Sequence, residues 1–476
     1  VDFIKEPHYG DARRRHGRPT GLGAAPVPSA GPARMSALAA AASVPATTRR
    51  IRWPIFGFLF AFSVIAYVQR TSVAVAADPM MSELGITQVQ VGWLLTAFLV
   101  SYTVFQFPGS VLGQRAGARW ALFALGALAF IATFGTSAAP LLLTGTALMA
   151  ALLAARFVLG IAQAPLFPVL SGGIEAWFPV RQWALVQGIL AGALNLGSAV
   201  TPPLIANLMQ VYGWKFALVA TSVPGLALIV WWAWYARDNP RDHPGVGPAE
   251  LAELEGNPPV GTDNALSFAR ILRMLANPDL LLLSGSYLLM NYVFYLLTFW
   301  CFLYLVQERH FAVLESGWLA ALPFVAAAIG SVLGGAINER LCARHGARWG
   351  FRIAPLAALA LSGVFLLLVA VSPNAVCAVV ALCGAFAFVE LTEASYWAAT
   401  MRVCPSDTMA ATGILNTGGN IGGIIATPIV AALSANGHWG LTFVTGTGFA
   451  LASAVLWFWV DVTRNEKPHE ALAPAT

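Results

Sequence analysis

Charge is scarce in this chain: Asp, Glu, Lys and Arg make up 10% of its 476 residues, where soluble domains carry about 25%. That excludes an ordinary soluble globular protein. Histidine and cysteine are also few. His8, His16, His243, His310, His345, His438 and His469 fall in tails, loops or near helix ends, so no haem or metal centre is expected inside a membrane. Cys301, Cys342, Cys377, Cys383 and Cys404 show neither paired metal spacing nor a disulfide framework. No nucleophile elbow or phosphate loop lies near a membrane face, which argues against a membrane enzyme. No cofactor is expected. The net charge of +5 sits in loops, where it concerns topology rather than nucleic acid.

What the chain has instead is apolar length: 58% of it is hydrophobic. Runs long enough to cross a bilayer as helices occur at about 53–77, 90–112, 120–138, 141–174, 182–211, 215–236, 280–306, 314–337, 351–371, 375–400, 409–434 and 439–461. They are called spans 1 to 12 below. The expected fold is an all-α membrane protein of twelve transmembrane helices. Residues 1–50 read as a disordered tail rich in Ala, Pro, Gly and Arg, and Met35 marks an expected native start, with 1–34 an over-extension. A polar linker, 237–279, separates a half at 51–236 from a half at 280–462, and 463–476 forms a tail. Most arginines, from Arg49 to Arg464, fall on one face, against Lys215 and Arg309 on the other, so both termini are expected in the cytoplasm.

The halves repeat. Gly109-Ser-Val-Leu-Gly113 with Gly117-Ala-Arg119-Trp120 recurs as Gly330-Ser-Val-Leu-Gly334 with Gly346-Ala-Arg348-Trp349. Gly188-Ile-Leu, Asn195-Leu-Gly197 and Pro203 return 225 residues later as Gly413-Ile-Leu, Asn420-Ile-Gly422 and Pro428. Two parallel six-helix repeats can rock about a central site, the geometry of alternating access.

Two cations lie deep in apolar helices. Arg70 in span 1 has only Tyr67 and Ala74 on its face, with the neutral Gln69 beside it; Arg156 in span 4 has Gln163 two turns further on. A guanidinium in hydrocarbon costs several kcal/mol or more, so each must face a cavity or a partner. Together they form a candidate clamp for a carboxylate; the other reading is a pairing with a helix end or a Glu of another span. Span 10 holds the acids Glu390 and Glu393, with Trp397 a turn further along the same face. Carboxylates this close in a poorly hydrated site repel, which makes one a candidate proton carrier. The alternatives are a salt bridge to Arg70 or Arg156 that opens during transport, a grip on a substrate hydroxyl or amine, and a static structural pair. Tyr67, Tyr102, Tyr295, Asn416, Asn291 and Asn420 are candidate hydrogen-bonding groups for a substrate, though polar residues also join helices. Trp397, Tyr295 and Trp300 supply aromatic surface.

These residues resemble the anion:cation symporter family of the major facilitator superfamily. The resemblance covers about 50–462 and rests on several motifs. They are Tyr67-x-x-Arg70 with its Ser-Val-Ala run; Gly92-Trp93, Ala97-Phe98, Tyr102, Gln106 and Pro108-Gly109; Arg156-Phe-x-x-Gly160 with Ala164-Pro, Phe167 and Pro168; and Gly413, Asn416, Gly419-Asn420 and Gly422-Gly423. It implies a secondary transporter taking up a small organic anion, a sugar acid or aromatic carboxylate, driven by a cation gradient, with Tyr67 and Tyr102 on the central cavity. Relatives commonly carry acids where this chain has Gln69 and Gln163, and Gly-x-x-x-Asp-Arg where it has Gly109-x-x-x-Gly113-Gln114-Arg115. The second half keeps Glu339 before Arg340. Proton coupling, if present, is therefore expected at Glu390 or Glu393; uniport or exchange without a proton is the alternative. The family also implies a cytoplasmic gate formed by these loops, here Arg115, Arg119, Arg340 and Arg344, with Asp407, Glu175 or Glu339 as partners. Expected partners are the organic anion, a co-transported proton and the bilayer, with no nucleic acid, and the chain is expected to act as a monomer in the inner membrane.

Overall fold

The computed structural model describes residues 50–257, 267–309, 313–435 and 437–464. The tail with its expected start at Met35, the linker stretch 258–266, His310 and the chain beyond 464 lie outside the described residues. Among the described residues nine helices are long and apolar enough to cross a membrane. Three of them, Gln90–Leu142, Val180–Tyr235 and Ala321–Ala370, are of double length and hold two spans each, so the crossings number twelve.

Each double helix turns back at one glycine: Gly117 (φ 79°), Gly213 (φ 78°) and Gly346 (φ 74°). A left-handed residue reverses the chain without a loop, and only glycine adopts it at no steric cost. At Gly117 a Cβ would also stand 2.7 Å from the Asp238 carboxylate. Gly117 and Gly346 are equivalent positions of the sequence repeat, so the repeated motif builds the same bend twice.

Spans 4 and 10, also equivalent, are both interrupted. Span 4 runs as Gly145–Gln163 and Leu166–Trp177, separated at Ala164-Pro165, where proline lacks the N–H that an unbroken helix needs. Span 10 runs as Ala375–Leu391 and Glu393–Val403, parted at Thr392, whose hydroxyl bonds back to the Val389 carbonyl at 2.6 Å. The break falls between Glu390 and Glu393, but Thr392 keeps right-handed helical dihedrals (φ −81°, ψ −20°), and Glu390, Glu393 and Trp397 all border one cavity.

The first six and last six spans meet tightly on the arginine-rich side. Spans 5 and 8 touch backbone to backbone: a Cβ at Gly188 would lie 2.4 Å from the Ser331 carbonyl oxygen, and one at Gly335 2.5 Å from that of Ala184. The linker returns to span 1, where the Glu250 carboxylate accepts from the Ile51 and Arg52 amides at 3.1 and 3.0 Å and from Arg52 Nε at 3.1 Å. Glu253 takes Arg52 Nη2 at 2.9 Å. Arg52, read from sequence as a topology signal, is fully buried by these contacts. Ile131, Val230, Val364 and Ile424 are exposed, giving the outer surface the apolar character a bilayer requires.

Candidate functional site

A cavity of about 640 Å³, counting the part open to solvent, lies between the first and last six spans. Span 1 brings Tyr67 and Arg70 to its wall, span 2 Tyr102, and span 4 Phe167. Opposite stand Tyr287, Asn291 and Tyr295 of span 7, Glu390, Glu393 and Trp397 of span 10, and Asn416 and Asn420 of span 11. Trp300 is not among the lining residues.

Arg70 is the lining cation. Its Nε donates to Gln163 Oε1 at 3.1 Å and its Nη1 to the Tyr67 hydroxyl at 3.2 Å. Its guanidinium carbon lies 4.4 Å from the ring centroids of both Tyr67 and Tyr102, a cation held between two π faces. Nη2 is buried without a partner, and no ion pair reaches Arg70 among the described residues. Tyr102, a candidate from sequence for a hydrogen bond to an anion, lines the cavity with its ring against this cation.

Arg156 does not line the cavity. It is 2% exposed, donates from Nη2 to the Arg70 carbonyl oxygen at 3.3 Å, and sits 5.0 Å from the Phe98 centroid. Its Nε and Nη1 have no partner. The two arginines expected to clamp together are thus layered, with Arg70 in front and Arg156 behind its backbone. Two adjacent buried cations without a counter-ion are costly, by several kcal/mol each, and an anion beside Arg70 offsets that cost. Gln163 ties the arrangement together, donating from Nε2 to the Ala66 carbonyl at 2.9 Å. Gln69 is 3% exposed and borders a separate crevice near Gly225 and Ile229, away from the central cavity.

The acids each collect two donors on one oxygen. Glu390 Oε2 accepts from Asn195 Nδ2 of span 5 and Ser331 Oγ of span 8, both at 2.9 Å. Glu393 Oε1 accepts from the Tyr287 hydroxyl at 2.7 Å and Trp397 Nε1 at 2.8 Å. Neither forms an ion pair with Arg70 or Arg156 in this structure. Asn416 Nδ2 donates to Gln106 Oε1 at 3.1 Å, and the Tyr295 hydroxyl to Asn420 Oδ1 at 2.8 Å. Asn291 donates to the Tyr287 carbonyl of its own helix. Sequence reasoning missed Tyr287, Ser331 and Asn195 as site residues. Tyr287 had a signal, since Tyr287, Asn291 and Tyr295 recur every four residues on one face of span 7.

On the arginine-rich side, hydrogen bonds between the two halves close the cavity. Gln114 clamps the turn between spans 10 and 11: Nε2 donates to the Ser406 carbonyl at 2.9 Å and Oε1 accepts from Met409 N at 3.1 Å. Glu175 Oε1 accepts from Ser406 N at 2.9 Å. Ser406 holds a left-handed backbone (φ 67°), unusual for a residue with a side chain, and these bonds from span 2 and span 4 fix it there. Asp407 pairs with Arg270 of the linker at 2.7 Å rather than with a loop arginine; burial pushes its carboxyl above the ordinary range, against the pull of Arg270. Arg119 serves its own half, its amide donating to Asp238 at 2.7 Å and its guanidinium to the Ala233 carbonyl. Glu339, Arg340 and Arg344 form no ion pair among the described residues.

The profile of the Major Facilitator Superfamily matches residues 59–407 and 307–475, two overlapping stretches. The probable sulfoacetate transporter of Cupriavidus necator is 29% identical over 80% of this chain and 86% of its own length. The probable galactarate/D-glucarate transporter of Bacillus subtilis is 28% identical over 81% and 86%. Among solved structures, the proton:xylose symporter XylE aligns with a TM-score of 0.70 at 13% identity, covering 87% of this chain and 96% of that one. FucP in the outward conformation aligns at 0.65 and 14% identity, covering 85% and 98%.

Proposed function

Since the chain belongs to the Major Facilitator Superfamily, a family of membrane transporters and not of enzymes, we propose that it is a secondary active transporter importing a small organic anion across the cytoplasmic membrane. The observation that carries this reading is Arg70: a cation on the cavity wall, held by two tyrosine rings and a glutamine, with one guanidinium nitrogen unpartnered. A substrate carboxylate or sulfonate supplies the missing charge through a charge-assisted hydrogen bond. Arg156 adds positive potential from behind. Relatives described as transporters of sulfoacetate, galactarate, glucarate and hexuronate support the class of substrate.

In this reading the arginine-rich face is cytoplasmic, both termini lie inside, and the closed contacts around Gln114, Glu175 and Ser406 belong to an outward-facing state of a monomer that works by alternating access. The coupling proton is carried on Glu390 or Glu393. Glu390 is the stronger candidate because its carboxylate joins spans 8 and 10 to Asn195 of span 5, so a change in its charge acts on the contact between halves. One observation favours uniport or exchange instead: Gln69 and Gln163 occupy the positions of the family's usual acids, and no carboxylate among the described residues pairs with Arg70.

The test is uptake of radiolabelled sugar acids and aromatic carboxylates into proteoliposomes by the wild type and by Arg70→Ala. Full uptake by Arg70→Ala sinks the proposal. Collapse of accumulation with a protonophore separates symport from uniport or exchange.

A further inference from the structure

The charge of the cavity is polarised. Arg70 is its lining cation, and the opposite wall carries two carboxylates, Glu390 and Glu393, with no basic residue among the lining residues of that wall. From this we infer that the site selects a monoanion whose far end carries hydrogen-bond donors, and that Glu393 is the residue that refuses a second negative charge. The inference rests on the reading of the cavity as an anion transport site and goes further by naming the class of anion, a monoanion where relatives described as sulfoacetate and galactarate/D-glucarate transporters are named for dianions, and the residue that sorts it.

The two ends are linked by an aromatic strip. The Tyr67 ring lies 6.1 Å from that of Phe167, and Phe167 lies 6.3 Å from Trp397. Trp397 in turn donates to Glu393. A ligand with its acid group on Arg70 therefore runs across Tyr67 and Phe167, packing a planar ring or the C–H face of a sugar acid, and ends at Trp397 and Glu393. Glu393 suits that end for hydroxyls. Its Oε1 is occupied by Tyr287 and Trp397, no hydrogen bond from the described residues engages its Oε2, and the side chain is only partly covered. The Tyr287 and Trp397 donors fix the carboxylate's orientation, so it meets a ligand hydroxyl or ammonium without first losing side-chain freedom.

A second carboxylate on the ligand has no such reception. It would approach Glu393 with no cation on that wall, and like charges brought together at a desolvated contact strongly suppress binding. The neutral donors of the far wall do not reverse it: Tyr295 gives its hydrogen to Asn420 and Asn416 one of its two to Gln106, and the free donor there, Asn420 Nδ2, carries no charge to set against that of Glu393.

The experiment uses the purified full chain and matched pairs of ligands: an aldonate against the aldarate of the same carbon chain, and a hydroxybenzoate against the corresponding benzene dicarboxylate. Thermal protection, which reports binding to the folded state, is titrated at neutral pH. The wild type is expected to bind the monoanion of the preferred pair at least about tenfold more tightly than the dianion. In Glu393→Gln that ratio falls to about threefold or less, while Glu393→Asp, which keeps the charge, retains the discrimination. Equal or stronger protection of the wild type by the dianions overturns the inference, and so does an unchanged ratio in Glu393→Gln. The wild-type measurement stands alone if the variants fold poorly. The failure of the parent reading is distinct: it fails if Arg70→Ala keeps full protection by the monoanion, whereas loss in Arg70→Ala alongside equal acceptance of dianions sinks only the selectivity assigned to Glu393.

Discussion

Arg70 Nε and Gln163 Oε1 are 3.1 Å apart, so a neutral amide from span 4 stands where a carboxylate would have turned the cavity cation into half of an ion pair. The amide keeps the guanidinium in place and leaves its charge uncancelled. A carboxylate there would cancel the charge that draws the substrate; the amide takes Nε without cancelling it. Because Gln163 Nε2 also holds the Ala66 carbonyl, spans 1 and 4 are joined through the residue that orients Arg70.

Changing Gln163 in two ways separates orientation from charge. Gln163→Ala removes a hydrogen bond to a charged group, a contribution of about 1.5–3 kcal/mol, so the apparent KM for the anion is expected to rise about 10- to 100-fold. Gln163→Glu restores a partner but cancels the charge, and its uptake at neutral pH is expected to fall below that of Gln163→Ala. Initial rates in proteoliposomes decide; a Gln163→Glu protein with wild-type affinity would contradict the role of Arg70 as an uncompensated receptor.

Glu390→Gln probes coupling. The glutamine can still accept from Asn195 and Ser331 through its carbonyl oxygen, so the packing of spans 5, 8 and 10 is kept while the exchangeable proton is lost. Accumulation against a gradient after a pH jump is expected to disappear, with counterflow of labelled substrate retained. Undiminished proton-driven accumulation would remove Glu390 from the coupling step.

The architecture was legible because its signals are local and repeated. Apolar length gave the crossings, and the Gly117 and Gly346 motifs marked equivalent turns, although a single glycine replacing an entire loop was not foreseen. Arg70, Glu390 and Glu393 announced themselves because charge within an apolar helix is expensive. Depth was not legible. Periodicity puts Arg70 and Arg156 on inward faces, but only the packing around Phe98 shows that one stands behind the other. Nor could the chain alone show that Asn195, a residue matched in the internal repeat, reaches an acid 195 positions away, or that Gln114 gains two cross-half bonds where an acid was missed.

Those two bonds make the closed side testable through a native thiol. Cys404 lies in the turn that Gln114 holds, 8% exposed, and burial, with Asp407, Asp279 and Glu175 nearby, pushes its thiol up to about 12. A thiol so far above neutral is almost wholly protonated and reacts slowly with a maleimide. Gln114→Ala loses about 2 kcal/mol of closing interactions at about 1 kcal/mol each, shifting the open-to-closed ratio about 30-fold. In a variant whose only cysteine is Cys404, labelling is expected to accelerate by at least about tenfold, since opening both uncovers the sulfur and lets it ionise. Equal labelling rates with and without Gln114 would show that the clamp contributes nothing to closure.

The same thiol reads a second, purely steric determinant of closure. A methyl group at Gly188 would stand 2.4 Å from the Ser331 carbonyl oxygen, and one at Gly335 2.5 Å from that of Ala184. Both clashes are with backbone, so no side chain can rotate to relieve them, and spans 5 and 8 must part. Overpacking of this kind costs typically about 1–3 kcal/mol. Because it is incurred only where the spans are in contact, it acts on the closed arginine-rich side. Gly188→Ala and Gly335→Ala are each expected to speed Cys404 labelling and to lower transport. Together they should do less than the sum of their effects, because the first displacement relieves the second. Gly57→Ala is the control: a Cβ there meets nothing within 4 Å, and labelling should match the wild type. If Gly188→Ala labels at the wild-type rate, the close approach of spans 5 and 8 is not what seals this face.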